Sequence, residues 1–187
     1  MHRGWIGLGL GLALGAAPAA ALTPQVGAGA FAGASIPIVQ DDNAPGPIFG
    51  VRVPVNVFRF LTAEPYFART GGGEAEETFG GLVYKRSGFD INAFGVNVAL
   101  GNLGLSPGLS FYPYAGIGSH ALSRNGSEDI DKFGFQFGLG LGISPIPALA
   151  LNARGELSVV PTDQTSRKFA NVTLGVTYKI LGLPGVP

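Results

Sequence analysis

The stretch Phe133-Gly-Phe-Gln-Phe-Gly-Leu-Gly-Leu-Gly-Ile143 most restricts what this chain can become. Its odd positions are all large and apolar, and its even positions are glycine or Gln136. Alternation of that kind belongs to a β-strand with one greasy face and one narrow or polar face. A soluble sheet buries such a face against a second layer, whereas a transmembrane barrel turns it toward lipid. A tilted strand needs roughly 9–11 residues to cross a bilayer, and this stretch has that length. Composition supports the barrel. Hydrophobic residues make up 46% of the 187 and charged ones only 13%, yet no apolar run reaches the ~18 residues of a spanning helix. The 31 glycines and 14 prolines make poor helices and many turns.

The first residues read as an export signal. His2 and Arg3 give a positive start, Trp5 to Leu14 a short apolar core, and Ala19-Ala20-Ala21 a small-residue cleavage pattern. We expect a signal peptide over 1–21, cut near Ala21, and a barrel domain over 22–187. A formal net charge of zero gives no electrostatic case for nucleic acid. With no cysteine, disulfides, thiolate metal sites and cysteine nucleophiles are excluded.

Alternation recurs along the chain and predicts an all-β, eight-stranded antiparallel up-and-down transmembrane β-barrel. The first strand, Gln25 to Ile36, alternates alanines with glycines, Phe31 and Ser35. In the second, Phe49, Val51, Val53, Val55 and Val57 oppose Gly50, Arg52, Pro54 and Asn56, with Pro54 marking a bulge or a local break in the ladder. The third, Leu61 to Thr70, sets Leu61, Ala63, Pro65 and Phe67 against Thr62, Glu64, Tyr66 and Ala68. The longest connection, Gly71 to Asp90, follows, and its interior from Phe79 to Tyr84 is expected to extend the flanking strands as a hairpin. Four more strands come after it: one centred on Phe94 to Leu100, then Leu109 to Ala121, the opening stretch, and Leu149 to Val159. Lys168 to Ile180 is the eighth. Connections alternate between long and charged and short and Pro/Gly-rich, as loops on one side of a membrane and turns on the other would.

The inward faces carry Arg52, Glu64, Arg154, Glu156 and Lys179. The interior of a barrel of about eight strands is just filled by side chains, so these charges must pair or be hydrated. Arg154 and Glu156 stand side by side, and pairing them with Arg52 and Glu64 makes a structural polar network. Glycines on the inner face of the sixth strand leave room for Tyr112 and Tyr114. Phe58, Phe60, Phe111, Phe133, Phe169 and Tyr178, near strand ends, suit interfacial belts.

On Tyr112-Pro-Tyr-Ala-Gly-Ile-Gly118, the Phe133–Ile143 stretch, the Arg154/Glu156 pair and the last strand, the chain resembles the small outer-membrane β-barrels of Gram-negative bacteria. That group includes the transmembrane domain of outer membrane protein A. Thr173-Leu-Gly-Val-Thr-Tyr-Lys-Ile180 looks like the C-terminal signal read by the barrel assembly machinery, although seven further residues follow it. The resemblance implies a non-enzymatic outer-membrane protein with a structural or surface-interaction role. Its implied partners are membrane lipid, lipopolysaccharide and the assembly machinery, and it is expected to be a monomer with no cofactor, metal or catalytic residue.

Two alternatives compete with that reading. Pro113-Tyr-Ala-Gly-Ile-Gly-Ser-His120 with Phe135-Gln-Phe-Gly138 looks loosely like the lipid A deacylases, which need a serine beside a histidine. Here the corresponding seventh strand, Asn152-Ala-Arg-Gly-Glu-Leu-Ser158, has no histidine. A soluble lipocalin-like barrel needs apolar residues inside and polar ones outside, the reverse of the pattern here.

Overall fold

The structure, a computed structural model, describes residues 25–38, 44–58, 60–73, 75–86, 88–101, 103, 108–123, 130–162 and 166–181. The expected signal peptide and its cleavage site lie outside them. Among the described residues eleven strands form: β1 Val26–Pro37, β2 Gly46–Arg52, β3 Val55–Phe58, β4 Leu61–Thr70, β5 Ala75–Phe79, β6 Leu82–Arg86, β7 Asp90–Leu100, β8 Gly108–Ser123, β9 Ile130–Ile146, β10 Leu149–Pro161 and β11 Ser166–Leu181.

Nine of them make one antiparallel sheet, and β11 pairs back onto β1 to close it. The closing seam runs from Val26 opposite Leu181 to Pro37 opposite Phe169. β2 and β3 are two halves of a single stave, because both lie between β1 and β4. The break between them falls at Val53-Pro54, where proline has no N–H to give a ladder. Bonds from Gly27 N–H to Pro54 O and from Val53 N–H to Pro65 O, each 2.9 Å, hold the neighbouring staves across the gap. The barrel therefore has eight staves, as the alternation predicts.

Residue parity decides what faces where. On β9, Phe133, Phe135, Phe137, Leu139, Leu141 and Ile143 all point outward and are exposed, while Gly134, Gln136, Gly140 and Gly142 are buried. β4, β7, β8 and β11 repeat the pattern. At 17 residues β9 spans ~56 Å at about 3.3 Å per residue, more than a membrane needs, so its ends stand clear of the apolar belt. Asp131 marks the exit at one end and Ser144 at the other.

All the longer charged connections leave one end of the barrel, the loop end. Residues 59–60, 101–107 and 147–148 turn the chain at the other, the turn end. Phe58, Phe60, Phe111 and Tyr178 face outward at the turn end, where Phe58 and Phe60 stack with ring centroids 6.1 Å apart. Phe133 faces outward at the loop end. Phe169 does not join a belt. It shares the parity of Asn171 and Thr173, points into the lumen and is 4% exposed. Its register, not its aromatic character, decides which way it faces.

The long connection also differs from expectation. Among the described residues β5 and β6 pair only with each other and form a separate two-stranded sheet. Gly80 and Gly81 turn it with φ of +60° and +81°, the two left-handed residues that a tight two-residue hairpin requires. The root of this hairpin is tied to the start of β2 and to the residues just before it. Gly71 N–H donates to Pro47 O at 2.9 Å, and Ala44 N–H donates to Gly73 O at 3.2 Å.

Inside the barrel, missing side chains on β9 make room for large ones on β8. A Cβ on Gly140 would overlap the Tyr112 ring, and one on Gly138 would sit 2.8 Å from the Tyr114 ring. Tyr112 is fully buried as a result. Gly140→Val should therefore force Tyr112 from its site and cost about 1–3 kcal/mol, the usual scale for overpacking. Urea unfolding of the refolded protein, followed by far-ultraviolet circular dichroism, measures it. An unchanged midpoint would show that Tyr112 has other space to occupy.

Candidate functional site

The lumen is layered. At the loop end Ile91, Leu122, Val160 and Phe169 form a buried apolar cluster with Phe89 packed against it. The Arg167 guanidinium lies 4.8 Å from the centre of the Phe89 ring, over this lid. At the turn end Ala99, Leu103, Tyr112 and Tyr114 form a second cluster. Leu103 holds a φ of +41°, uncommon for a branched side chain, and its side chain is 2% exposed. Burial of that side chain offsets the backbone strain.

The charged side chains lie between the two layers. All four residues expected in the polar network face inward, but the structure divides them. Arg154, on β10, reaches across the lumen to Glu64, on β4. Its Nη1 and Nη2 donate to Oε1 and Oε2 at 2.5 and 2.6 Å, a two-pronged fork. Arg154 Nε donates to the Tyr112 hydroxyl at 3.1 Å, and its guanidinium lies 5.0 Å from the Tyr114 ring centre. Arg52 approaches the same carboxylate more loosely, with Nε 4.0 Å from Glu64 Oε2. Its Nη2 donates instead to Asn152 Oδ1, and its guanidinium sits 5.1 Å from the Phe31 ring centre. Asn97 Nδ2 donates to Glu64 Oε1 at 3.3 Å, and Gln136 Nε2 donates to Asn97 Oδ1. Glu64 is thus the hub on which two guanidiniums and an amide converge.

Glu156 stands apart. Among the described residues it forms no salt bridge, although it neighbours Arg154 on the same face. Tyr114 Oη donates to its Oε2 at 3.0 Å, while Ser158 Oγ and Asn171 Nδ2 donate to its Oε1 at 2.9 Å each. Three neutral donors replace a cation. Lys179 also faces inward, with Nζ 3.3 Å from Ser144 Oγ near the turn end.

Sequence reasoning missed Asn97, Gln136, Asn152 and Asn171 as members of this network. Their inward parity was legible, but an amide carries no charge to mark it. His120 is buried inside the barrel with Nδ1 3.3 Å from Gly118 O. No grouping of three or more metal-ligating side chains occurs among the described residues.

Two carboxylates so differently held should respond differently to neutralisation. Glu64→Gln leaves two buried guanidiniums without a counter-charge and should cost about 3–5 kcal/mol. Glu156→Gln disturbs hydrogen bonds only and should cost roughly 1–3 kcal/mol. Heat unfolding of the two variants in one detergent compares them directly. An equal loss would contradict the division of the network.

Residues 6–179 match the outer membrane protein beta-barrel domain family. Among solved structures, the neisserial surface protein NspA superposes with a TM-score of 0.63 at 15% identity, over 84% of this chain and 97% of that one. The N-terminal β-barrel domain of Pseudomonas aeruginosa OprF gives 0.55 at 12% identity, over 83% and 97%. The outer membrane protein Ail of Yersinia pestis gives 0.51 at 16% identity, over 83% and 99%. At such identities the likeness is one of fold. No curated protein sequence matches the chain.

Proposed function

Because the chain belongs to the outer membrane protein β-barrel domain family, we propose that this small outer-membrane barrel is a non-enzymatic, non-conducting scaffold presenting its loop end to the outside. One observation carries the reading. The lumen is filled by the Glu64–Arg154 fork and its aromatic and amide neighbours, leaving a cavity of only about 50 Å3. A solute path through eight staves needs a lumen its side chains do not occupy.

With the interior closed, interaction falls to the surfaces. The outward apolar side chains meet bilayer lipid and lipopolysaccharide, and β11 is the element the barrel assembly machinery would read. The barrel acts as a monomer on this reading and takes no cofactor and no nucleic acid. The β5–β6 hairpin is its main contact surface, because Leu82, Val83 and Tyr84 are 63%, 58% and 50% exposed there. A two-stranded sheet in water is marginal unless another surface covers it. The hydrolase reading is weaker, since a lipid substrate approaches the outer wall while His120 lies inside, bonded to a backbone carbonyl. A base must reach the proton it removes.

Folded protein in a planar lipid bilayer is expected to give no unitary current steps. Regular steps would refute the closed lumen. The Leu82→Ser, Val83→Ser, Tyr84→Ser triple variant should still fold and insert. Bacteria carrying it should adhere less to hydrophobic and cell-coated surfaces than bacteria carrying the native protein. Equal adhesion would remove the surface-interaction half of the proposal.

A further inference from the structure

The β5–β6 hairpin stands on a fixed stem. β4 ends at Thr70, yet its ladder with the neighbouring stave runs on through the Gly71–Pro47 bond to the Ala44–Gly73 bridge. On the other flank Gly72 N–H donates to Asp90 Oδ1 at 3.2 Å, and a Cβ on Gly72 would overlap the Phe89 backbone. The stem is clamped from both sides in the direction of β4.

Below the stem an exposed ion pair, Arg69 with Asp90 at 3.7 Å, marks the charged rim of the barrel. The four steps from Arg69 to Gly73 span about 14 Å of extended chain, or roughly 10 Å of height on a strand tilted by ~45°. The headgroup layer of one leaflet is only about 5–8 Å deep. The hairpin therefore begins above the headgroups of its own membrane, and the clamped stem points its tip outward.

Polarity changes in order along the hairpin. Gly80 and Gly81 make the turn, Leu82 and Val83 follow, then Tyr84, then Lys85, whose Nζ pairs with Glu76 Oε1 at 2.9 Å. Successive residues of a strand point to opposite faces, so Leu82 and Tyr84 share one face and Val83 stands on the other. All three are exposed. A protein surface laid against a two-stranded sheet covers one face and leaves the other in water. Immersion in lipid covers both. The sequence of apolar tip, tyrosine and charges is also the order in which such groups distribute across a bilayer boundary. From Gly81 to Tyr84 the chain rises about 10 Å, matching the ~5–10 Å to which interfacial elements bury their apolar side chains.

Charge selects among lipid surfaces. Residues 74–86 carry Glu74, Glu76 and Glu77 against Lys85 and Arg86, a slight acidic excess. Attraction to anionic lipid needs clustered bases instead.

We propose that the β5–β6 tip is a shallow insertion device for the zwitterionic lipid surface of a facing membrane, entering with Leu82 and Val83 and stopping at Tyr84. This rests on the hairpin being the contact surface of the barrel, and it gives that contact its chemistry.

The test uses the full chain folded in lipid nanodiscs and mixed with phosphatidylcholine vesicles. Vesicle flotation should carry the protein upward, with little change on raising the salt concentration. Leu82→Ser should weaken binding about tenfold, the scale of one buried leucine, and the triple serine variant should abolish it. Both should keep the native circular dichroism spectrum, since neither alters the barrel. The added emission of Tyr84→Trp should shift to the blue with vesicles and be quenched by brominated lipid in them. Quenching only by brominated lipid in the protein's own disc would overturn the facing membrane. Failure to float would overturn the lipid partner: reduced adhesion of the triple variant would then assign the surface to a protein, whereas equal adhesion would remove the contact surface as well. Pairing of discs without vesicles, lost in the triple variant, would assign the tip to a second copy and overturn the proposal.

Discussion

In the acyl layer of a membrane no water is available to bond an open sheet edge, so the pairing of β1 with β11 is the contact on which everything else depends. With the seam closed, all eight staves find partners on both sides. The weakest stave by propensity is β1, whose outward face is alanine. Its twelve residues are held by β11 along their length and by β2 and β3 on the other side. The backbone ladder, more than side-chain propensity, accounts for this strand.

Closure at eight staves makes the interior narrow, and that narrowness governs which side chains fit. Tyr112 and Tyr114 fit because β9 offers glycine opposite them. Arg154 reaches Glu64 because those tyrosines flank its guanidinium and direct it across the lumen. A buried ion pair contributes little on balance because desolvation opposes the Coulomb attraction, yet losing one partner is costly. The Glu64 hub is best understood as a device that fixes a single interior arrangement, with the amides Asn97 and Gln136 completing it. Apolar side chains flank that arrangement at either end, the Phe169 cluster toward the loops and the Leu103 cluster toward the turns.

Much of this was legible in the residues, for reasons that also show where reading stops. Parity assigned inside and outside on β4, β7, β8, β9, β10 and β11, because one slip of register would reverse every side chain on a stave. The break at Pro54 followed from a missing N–H. The room left by glycines for Tyr112 and Tyr114 followed from size. Partner choice was not legible. Arg154 and Glu64 are 90 residues apart, and the stagger of the staves decides which inward groups meet. Arg154 and Glu156 were both expected to pair with Arg52 and Glu64, and Glu156 instead took three neutral donors. Phe169 was assigned by residue type where its register gave the answer. A hairpin over Phe79 to Tyr84 was legible, but not that β5 and β6 would form a sheet of their own, and nothing local marks Leu103 for burial.

The central claim, a closed barrel in the outer membrane, is tested most directly by expressing the chain with its first residues intact and isolating outer membranes. Those membranes are then run on SDS gels with and without boiling. A closed barrel resists SDS until heated, so the account predicts a band in the outer-membrane fraction whose mobility changes on boiling. A soluble protein with one mobility under both conditions would contradict it.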